Sequence, residues 1–343
     1  MINLLIYGGY HHDYIYTHHL AAGFSNTKDV KTFPIFLDQS KNKLLSKFNH
    51  YFPPNKLIKN YLVENIKKNG ITHILNYNTN HFSSFLIDYL KKNFSLKICA
   101  YYNDSPFSNH FSKRLYYKTQ KQAFLQYDNL FLYRKSDFEK ITIKYKIPKN
   151  LVNLVPPSCP EKKFLKNIPI ENSFSYDFAF IGHYEPDGRF NLISDLLSRG
   201  FKCLIVGRDW PEDIASSVSP NISRISNRHV KYKDYLGLLS TSRVNIGLVS
   251  SINNDIYTRR YFECPFSNSL FLAYESELYK KLSTNMPNIL FCKNKIPSLD
   301  DCIRALKIAK LMNHYPSTKQ RENFYAINSI FARAKIFKDF LNS

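Results

Sequence analysis

No two cysteines in this sequence stand at the two-residue spacing that nucleates a zinc site. Cys99, Cys159, Cys203, Cys264, Cys292 and Cys302 are scattered, most of them in apolar runs. Such usage fits a reduced, intracellular chain. No run approaches the roughly 20 apolar residues of a spanning helix, and the opening MINLLIYGGYHHDY has too short an apolar stretch, and no basic leader, for a secretory signal. A cytoplasmic protein is expected, soluble or peripheral at the inner face of the membrane. Also missing are an Asp-x-Asp pair, a Walker-type phosphate loop, a zincin motif, a nucleophile elbow, short-period repeats and low-complexity blocks. The fold that transfers sugars with manganese held on paired aspartates is thereby disfavoured. Acidic residues are scarce: 27 Asp and Glu against 48 Lys and Arg leave a formal charge of +21. That excess favours an acidic partner, whether nucleic acid, a phosphorylated small molecule or an anionic membrane. A compositional bias toward Lys, Asn, Ile and Tyr accounts for it equally well.

What is present describes two α/β domains. A chain of 343 residues, 44% hydrophobic and 15% aromatic, is long enough for both and too apolar to be disordered. Residues 2–7 (INLLIY) read as a first buried strand ending at Gly8-Gly9, followed by candidate strands at 30–37, 72–77, 96–102 and 129–133 with helical segments between them. Four prolines gather in residues 151–176, which reads as the interdomain linker. A second series then opens with strand 177–182, helix 189–200 stopped by Gly200, and strand 201–207, a βαβ unit of the expected length. VKYKDYLGLLSTS and RRYFECPFSN read as helices, VNIGLV, SLFLAY and NILFCK as strands, and the terminal STKQRENFYAINSIFARAKIFKDFLNS as one long amphipathic helix. The alternation predicts mostly parallel sheets in two Rossmann-like lobes. The expected division is an N-terminal lobe over 1–160, a second lobe over 161–320 and a C-terminal helix over 321–343 that packs back on the first.

The most informative stretch is NNDIYTRRYFECPFSNSLFLAYESEL, residues 253–278, which sets Asp255 and Glu263 on either side of Arg259 and Arg260, just before a buried strand. Arg260 and Glu263 on one helical turn lie on the same face. A carboxylate there can accept from two ribose hydroxyls, while an Arg and free helix N–H groups receive a diphosphate. By pattern alone an ordinary helix-end ion pair is the commoner outcome.

This stretch resembles the signature of the spore-maturation CgeB-like glycosyltransferases, relatives of the large retaining group-one glycosyltransferases of GT-B fold. In that signature an Arg, two residues and a Glu open a helix that runs into a small-residue turn and a strand; Arg260 and Glu263 match. The wider group carries two carboxylates separated by seven residues, here Asp255 and Glu263. The resemblance implies that Glu263 holds the donor ribose and that Asp255 lies near the transferred sugar or the phosphates. Residues 177–210 are similar to the family's first unit of the donor lobe, where Gly182 matches the strand-end turn and Arg189 the cation that faces the diphosphate, with His183 and Arg208 nearby. The segment 152–164 resembles the close of the family's first lobe, and the last helix, with Arg333, its C-terminal one. Where the family has Gly after the Glu helix this chain has Asn268, a residue that tolerates a left-handed backbone.

The implied architecture is GT-B, two Rossmann-like lobes facing a central cleft, with a nucleotide-sugar donor on the second lobe and a glycan or lipid-linked acceptor on the first. Transfer is expected to be retaining and metal-independent, with no cofactor beyond the donor. Inversion requires a base from the first lobe, for which His12, Asp13 and Asp104 are candidates; Asp104 falls in YYNDSPFSNH, which resembles an acidic loop of the family, and an Asx-type turn before Pro106 explains it as well. His11, His12, His18 and His19 lack the cysteine or carboxylate cluster of a metal site, and none is expected. Two readings stand beside this one: a basic nucleic-acid-binding protein that uses its Tyr and Phe to stack on bases, for which no recognisable module is present, and a sugar-nucleotide epimerase of the same fold.

Overall fold

A computed structural model of the chain describes residues 1–8, 16–35, 55–108, 111–170, 174–211, 222–226, 230–311 and 315–341. His11, His12, Asp13 and His110 lie outside the described residues. The chain divides into two compact units, Met1–Pro157 with Ile330–Ser343, and Ser158–Ser329.

Unit 1 is built on a six-stranded sheet in the order β2-β1-β3-β4-β5-β6, every neighbour parallel. Its strands are β1 Ile2–Gly8, β2 Val30–Ile35, β3 His73–Tyr77, β4 Lys97–Tyr102, β5 Asn129–Leu132 and β6 Val152–Leu154. A parallel sheet is covered on both faces, so its strands read as continuous apolar runs and successive residues serve opposite cores. Leu5, Tyr7, Ile74 and Ile98 pack against helix Asn55–Asn69, which contributes Ile58, Leu62 and Ile66 at four-residue spacing. Leu4, Ile6, Leu75 and Phe131 pack on the other face against Ile330, Ala334, Phe337 and Leu341 of the last helix.

Unit 2 carries a second six-stranded parallel sheet, β12-β11-β10-β7-β8-β9. Here β7 is Tyr176–Ile181, β8 Cys203–Val206, β9 Ile222–Ser226, β10 Ser242–Gly247, β11 Leu270–Tyr274 and β12 Ile289–Cys292. The chain leaves β7 toward β8 on one side and later returns to pair β10 on the other. Strand order therefore reverses between β7 and β10, and in open α/β sheets ligands bind outside the carboxyl ends of the strands at such a point.

Three expectations change. The terminal segment is two helices, Thr318–Asn328 and Ile330–Leu341, broken at an extended Ser329 (φ −65°, ψ 162°). The Asn328 carbonyl, which a continuous helix would spend on its own next turn, accepts from the Cys159 amide at 2.9 Å. The stretch 259–268 forms two short 3-10 turns, Arg259–Phe262 and Cys264–Phe266, because Pro265 has no N–H for a helix ladder and disfavours a helical residue before it. The proline-rich segment holds a strand, β6, and a short helix, Lys162–Leu165. None of the six cysteines forms a disulfide, and all are buried. Among the described residues no helix is long and apolar enough to cross a membrane, and no group of His, Cys, Asp and Glu is placed to hold a metal.

His73 ties β3 to the last helix: its ring Nε2 donates to the Leu341 carbonyl at 3.1 Å, and Nδ1 takes the Thr72 hydroxyl at 2.8 Å. Burial pushes its pKa below the ordinary 6.5, more than the Leu341 carbonyl raises it. The unfolded chain thus takes up this proton first as pH falls, so the contribution is intact above 6.5 and is lost as pH drops through the lower folded value. Urea denaturation of His73→Gln is expected to show a shallower loss of stability below that pH than the parent; an identical pH slope rules the linkage out.

Candidate functional site

At the reversal between β7 and β10 the strand ends crowd together. A Cβ at Gly207, whose φ is +159°, would lie 1.9 Å from the Gly182 carbonyl oxygen, so only glycine permits this approach. A Cβ at Gly182 would meet Arg260 Nη1 at 2.7 Å. The space is needed because the Arg260 guanidinium lies across both strands: Nη1 donates to the Ile181 carbonyl at 2.5 Å and Nη2 to that of Leu248 at 2.9 Å, over the Phe180 ring. Its Nε–H has no partner, and among the described residues no carboxylate reaches it. Arg260 thus keeps its full charge at the switch point, which favours an anion there.

Arg189 is spent differently. Only 2% exposed, it donates to Asp187 through Nε at 2.7 Å and Nη2 at 2.5 Å, to the His183 carbonyl at 2.6 Å and to that of Val249 at 3.2 Å. Glu185 stands 3.5 Å from the same Nη2 and accepts from the Ser251 amide, the Ser251 hydroxyl and the Ile252 amide. The cation read from sequence as facing a diphosphate is therefore a buried staple between the loops that follow β7 and β10. His183 and Arg208 remain exposed at the ends of β7 and β8.

Glu263 also departs from expectation. Its carboxylate is 1% exposed and engaged at both oxygens, with Arg259 Nε at 2.7 Å and the Tyr232 hydroxyl at 2.8 Å on Oε1, and the Tyr235 hydroxyl at 2.5 Å on Oε2. Burial and the Glu263 charge push the Tyr235 phenol far above its ordinary range, so it stays a donor. Arg259, stacked over the Tyr232 ring at 4.4 Å, is set by this group. Helical proximity of Glu263 to Arg260 is replaced by a 3-10 turn that pairs the acid with Arg259 instead. Asp255 is buried in the loop after β10, its N–H on the Ser250 carbonyl at 2.8 Å. Next to it Lys295 donates to Asn254 Oδ1 at 2.5 Å; burial lowers the Lys295 pKa while the Asp255 charge opposes the shift. Asn268 adopts no left-handed conformation: its side chain donates to the Ile170 carbonyl and accepts from Arg321 at 2.6 Å.

Three buried polar atoms without partners fall on the one segment 253–260, Asn253 Oδ1, Thr258 Oγ1 and Arg260 Nε. Buried polar groups in folded proteins are overwhelmingly satisfied, and this segment carries three of the exceptions, next to the sheet's switch point.

In unit 1, Asp104 is paired with Lys113 at 2.5 Å. Burial raises its pKa, but Lys113 and then Arg134 outweigh that and hold it below the usual carboxylate value, which makes it a poor general base. The sequence reading missed the Tyr7–His81 pair, hydroxyl to Nδ1 at 2.6 Å, at the carboxyl ends of β1 and β3. Only its position just past a strand end was available as a signal.

Residues 189–320 match the profile of a family described as glycosyl transferase-like. No protein of curated function matches. Among solved structures the chain is similar to trehalose-6-phosphate from E. coli bound with UDP-2-fluoro glucose, at 12% identity over 98% of each chain with a TM-score of 0.63. It is similar to the α,α-trehalose 6-phosphate synthase from Burkholderia multivorans, at 10% identity over 99% of this chain and 98% of that one, TM-score 0.63. The UDP-GlcNAc 2-epimerase from Neisseria meningitidis bound to UDP-GlcNAc matches at 12% identity over 99% of both chains, TM-score 0.57. The fold is GT-B. At these identities the likeness speaks for the fold, and the GT-B chain must supply its own chemistry from the residues above.

Arg189→Lys keeps the charge but not the bidentate fork, and is expected to lower unit 2 stability by roughly 2–4 kcal/mol in chemical denaturation. A variant that melts like the parent yet loses ligand affinity would restore the direct role.

Proposed function

We infer that the chain is a glycosyltransferase that takes a nucleotide-sugar donor on unit 2 and moves the sugar to a hydroxyl of a glycan or lipid-linked acceptor. The observation that carries this is Arg260, a guanidinium with no carboxylate partner and an unspent N–H where the order of the sheet reverses. Support comes from the glycosyl transferase-like profile over 189–320, which includes this residue, and from GT-B neighbours bound to UDP-GlcNAc and to UDP-2-fluoro glucose. Departure of a nucleoside diphosphate builds negative charge on phosphate oxygens, and fixed cations that need no reorganisation lower that barrier most. Arg260, with exposed Arg208 and His183, meets this need without a metal, and Thr258 and Asn253 offer a donor and an acceptor to sugar or ribose hydroxyls. Glu263 serves the site by holding Arg259 and Tyr235; a nucleoside that takes its carboxylate directly must first displace the Tyr235 hydroxyl. Retention belongs to this reading; of the candidate bases for inversion, Asp104 is held by Lys113 in a state unsuited to that role.

A second reading has a specific observation behind it: UDP-GlcNAc 2-epimerases match this chain over nearly its whole length. Such an enzyme uses the same donor and no acceptor. Incubation with donor alone, followed by mass and stereochemical analysis of the sugar nucleotide, separates the two.

Thermal denaturation over a panel of nucleoside diphosphates and their sugars tests the site itself. A ligand at 100 times its dissociation constant adds about 2.7 kcal/mol and raises the melting point visibly. Arg208→Ala, at an exposed position, is expected to leave the unliganded melting point unchanged and weaken binding by about 10- to 100-fold. If no member of the panel moves the transition, the donor site is wrong.

A further inference from the structure

One face of unit 1 takes no part in the site above. It is formed by helices Phe111–Tyr116, Lys118–Ala123 and Lys135–Lys144 and by the 3-10 turn Phe124–Gln126. Phe111, Leu125 and Ile143 on these segments are 78%, 72% and 76% exposed. Each stands within one helical turn of a cation: Arg114 follows Phe111 by three positions, Lys121 precedes Leu125 by four, and Lys140 and Lys144 flank Ile143. From the first helix into the 3-10 turn, Phe111, Arg114, Lys118, Lys121 and Leu125 follow one another at intervals of three or four residues, an alternating apolar and basic stripe in the sequence. The third helix joins that stripe through Phe107, whose ring centre lies 5.7 Å from both the Lys121 and the Lys140 ammonium groups. Lys121 is depressed by burial and then by Lys144, Arg114 and Lys140, with no acid opposing them. The carboxylates on and beside these segments each have a partner: Asp137 is buried and accepts from the Ser105 hydroxyl, Asp104 pairs with Lys113, Asp128 with Lys91 and the exposed Glu139 with Lys135.

A basic cluster by itself suits any polyanion. The exposed apolar residues decide between partners: Leu125 and Ile143 have no ring to stack on a base, whereas apolar side chains set among snorkelling cations match acyl chains beneath charged headgroups. We propose that this face of unit 1 docks on an anionic lipid surface. Phe111, Leu125 and Ile143 enter the boundary between headgroups and acyl chains, and Arg114, Lys118, Lys121, Lys140 and Lys144 lie over the anionic headgroups. The docking requires nothing of unit 2 and stands or falls apart from the donor reading.

Sedimentation of the full-length protein with vesicles tests it. The parent is expected to sediment with phosphatidylcholine–phosphatidylglycerol vesicles, not with phosphatidylcholine alone, and to be released as salt rises. Lys140→Gln and Lys144→Gln together are expected to cut partitioning about fivefold per charge removed. The triple variant Phe111→Ser, Leu125→Ser, Ile143→Ser keeps every charge and is expected to lose about tenfold or more. Leu311→Ser, at a position 79% exposed in unit 2, is the control and is expected to bind like the parent. Because all these side chains are exposed, unchanged melting points show that the variants are folded. The proposal is overturned if the parent ignores anionic vesicles or if the triple variant sediments like the parent. It is equally overturned if a single-stranded oligonucleotide binds through the cations, indifferent to the three apolar residues, and vesicles do not.

Discussion

A parallel sheet leaves carbonyls at the carboxyl end of every strand, and where strand order reverses no connecting loop covers them. In unit 2 two guanidinium groups answer that need. Arg260 joins the ends of β7 and β10 through Ile181 and Leu248, and Arg189 joins the loops beyond them through His183 and Val249. Most other features of the region follow from these two contacts. Gly182 and Gly207 are small because Arg260 and the neighbouring strand end need the room, and Glu185 reaches the loop after β10 because Arg189 holds both loops in register.

The two arginines differ in what surrounds them, and that difference assigns their work. Arg189 faces two carboxylates, Asp187 and Glu185, so its charge is more than cancelled and its value lies in positioning. Arg260 faces carbonyl dipoles and the Phe180 ring, with no carboxylate on it among the described residues, so its charge remains to act on whatever enters. Arginine is the residue for both tasks because its planar fork bonds several acceptors at once and cannot be neutralised by loss of a proton. Unit 1 uses both means at its own carboxyl edge: buried Arg134, just past β5, donates to the Asn103 carbonyl past β4 at 2.7 Å, and neutral groups lie beside it. Asn76, Gln120, Tyr102 and Tyr127 form a closed buried network, and such networks rigidify when every member is satisfied.

The architecture was largely legible in the sequence, because strands buried on both faces write themselves as apolar runs. Every strand read from 2–7 to 129–133 has its counterpart, as does the βαβ unit that opens unit 2. The strands β6 and β9 were missed since three to five residues of mixed character carry no period. The site was legible by address only. Residues 182, 189, 208 and 260 do meet at one sheet edge, but sequence cannot tell whether a guanidinium spends its protons on carbonyls or offers them to a ligand. Glu263 makes the same point: a single proline two positions later turned the expected helix into 3-10 turns and gave the acid to Arg259 and two tyrosines.

The return of the chain at Ser329 bears on how the protein is made. Unit 2 is continuous, whereas unit 1 is completed only by the final helix, whose Ile330, Ala334 and Phe337 belong to one of its two cores. As the polypeptide leaves the ribosome, the first sheet must wait with one side only partly covered, by Leu20 and Phe24, until residues 330–341 emerge, while the inserted half closes ahead of it. Premature termination that removes Ile330–Leu341 therefore damages the half that was synthesised first.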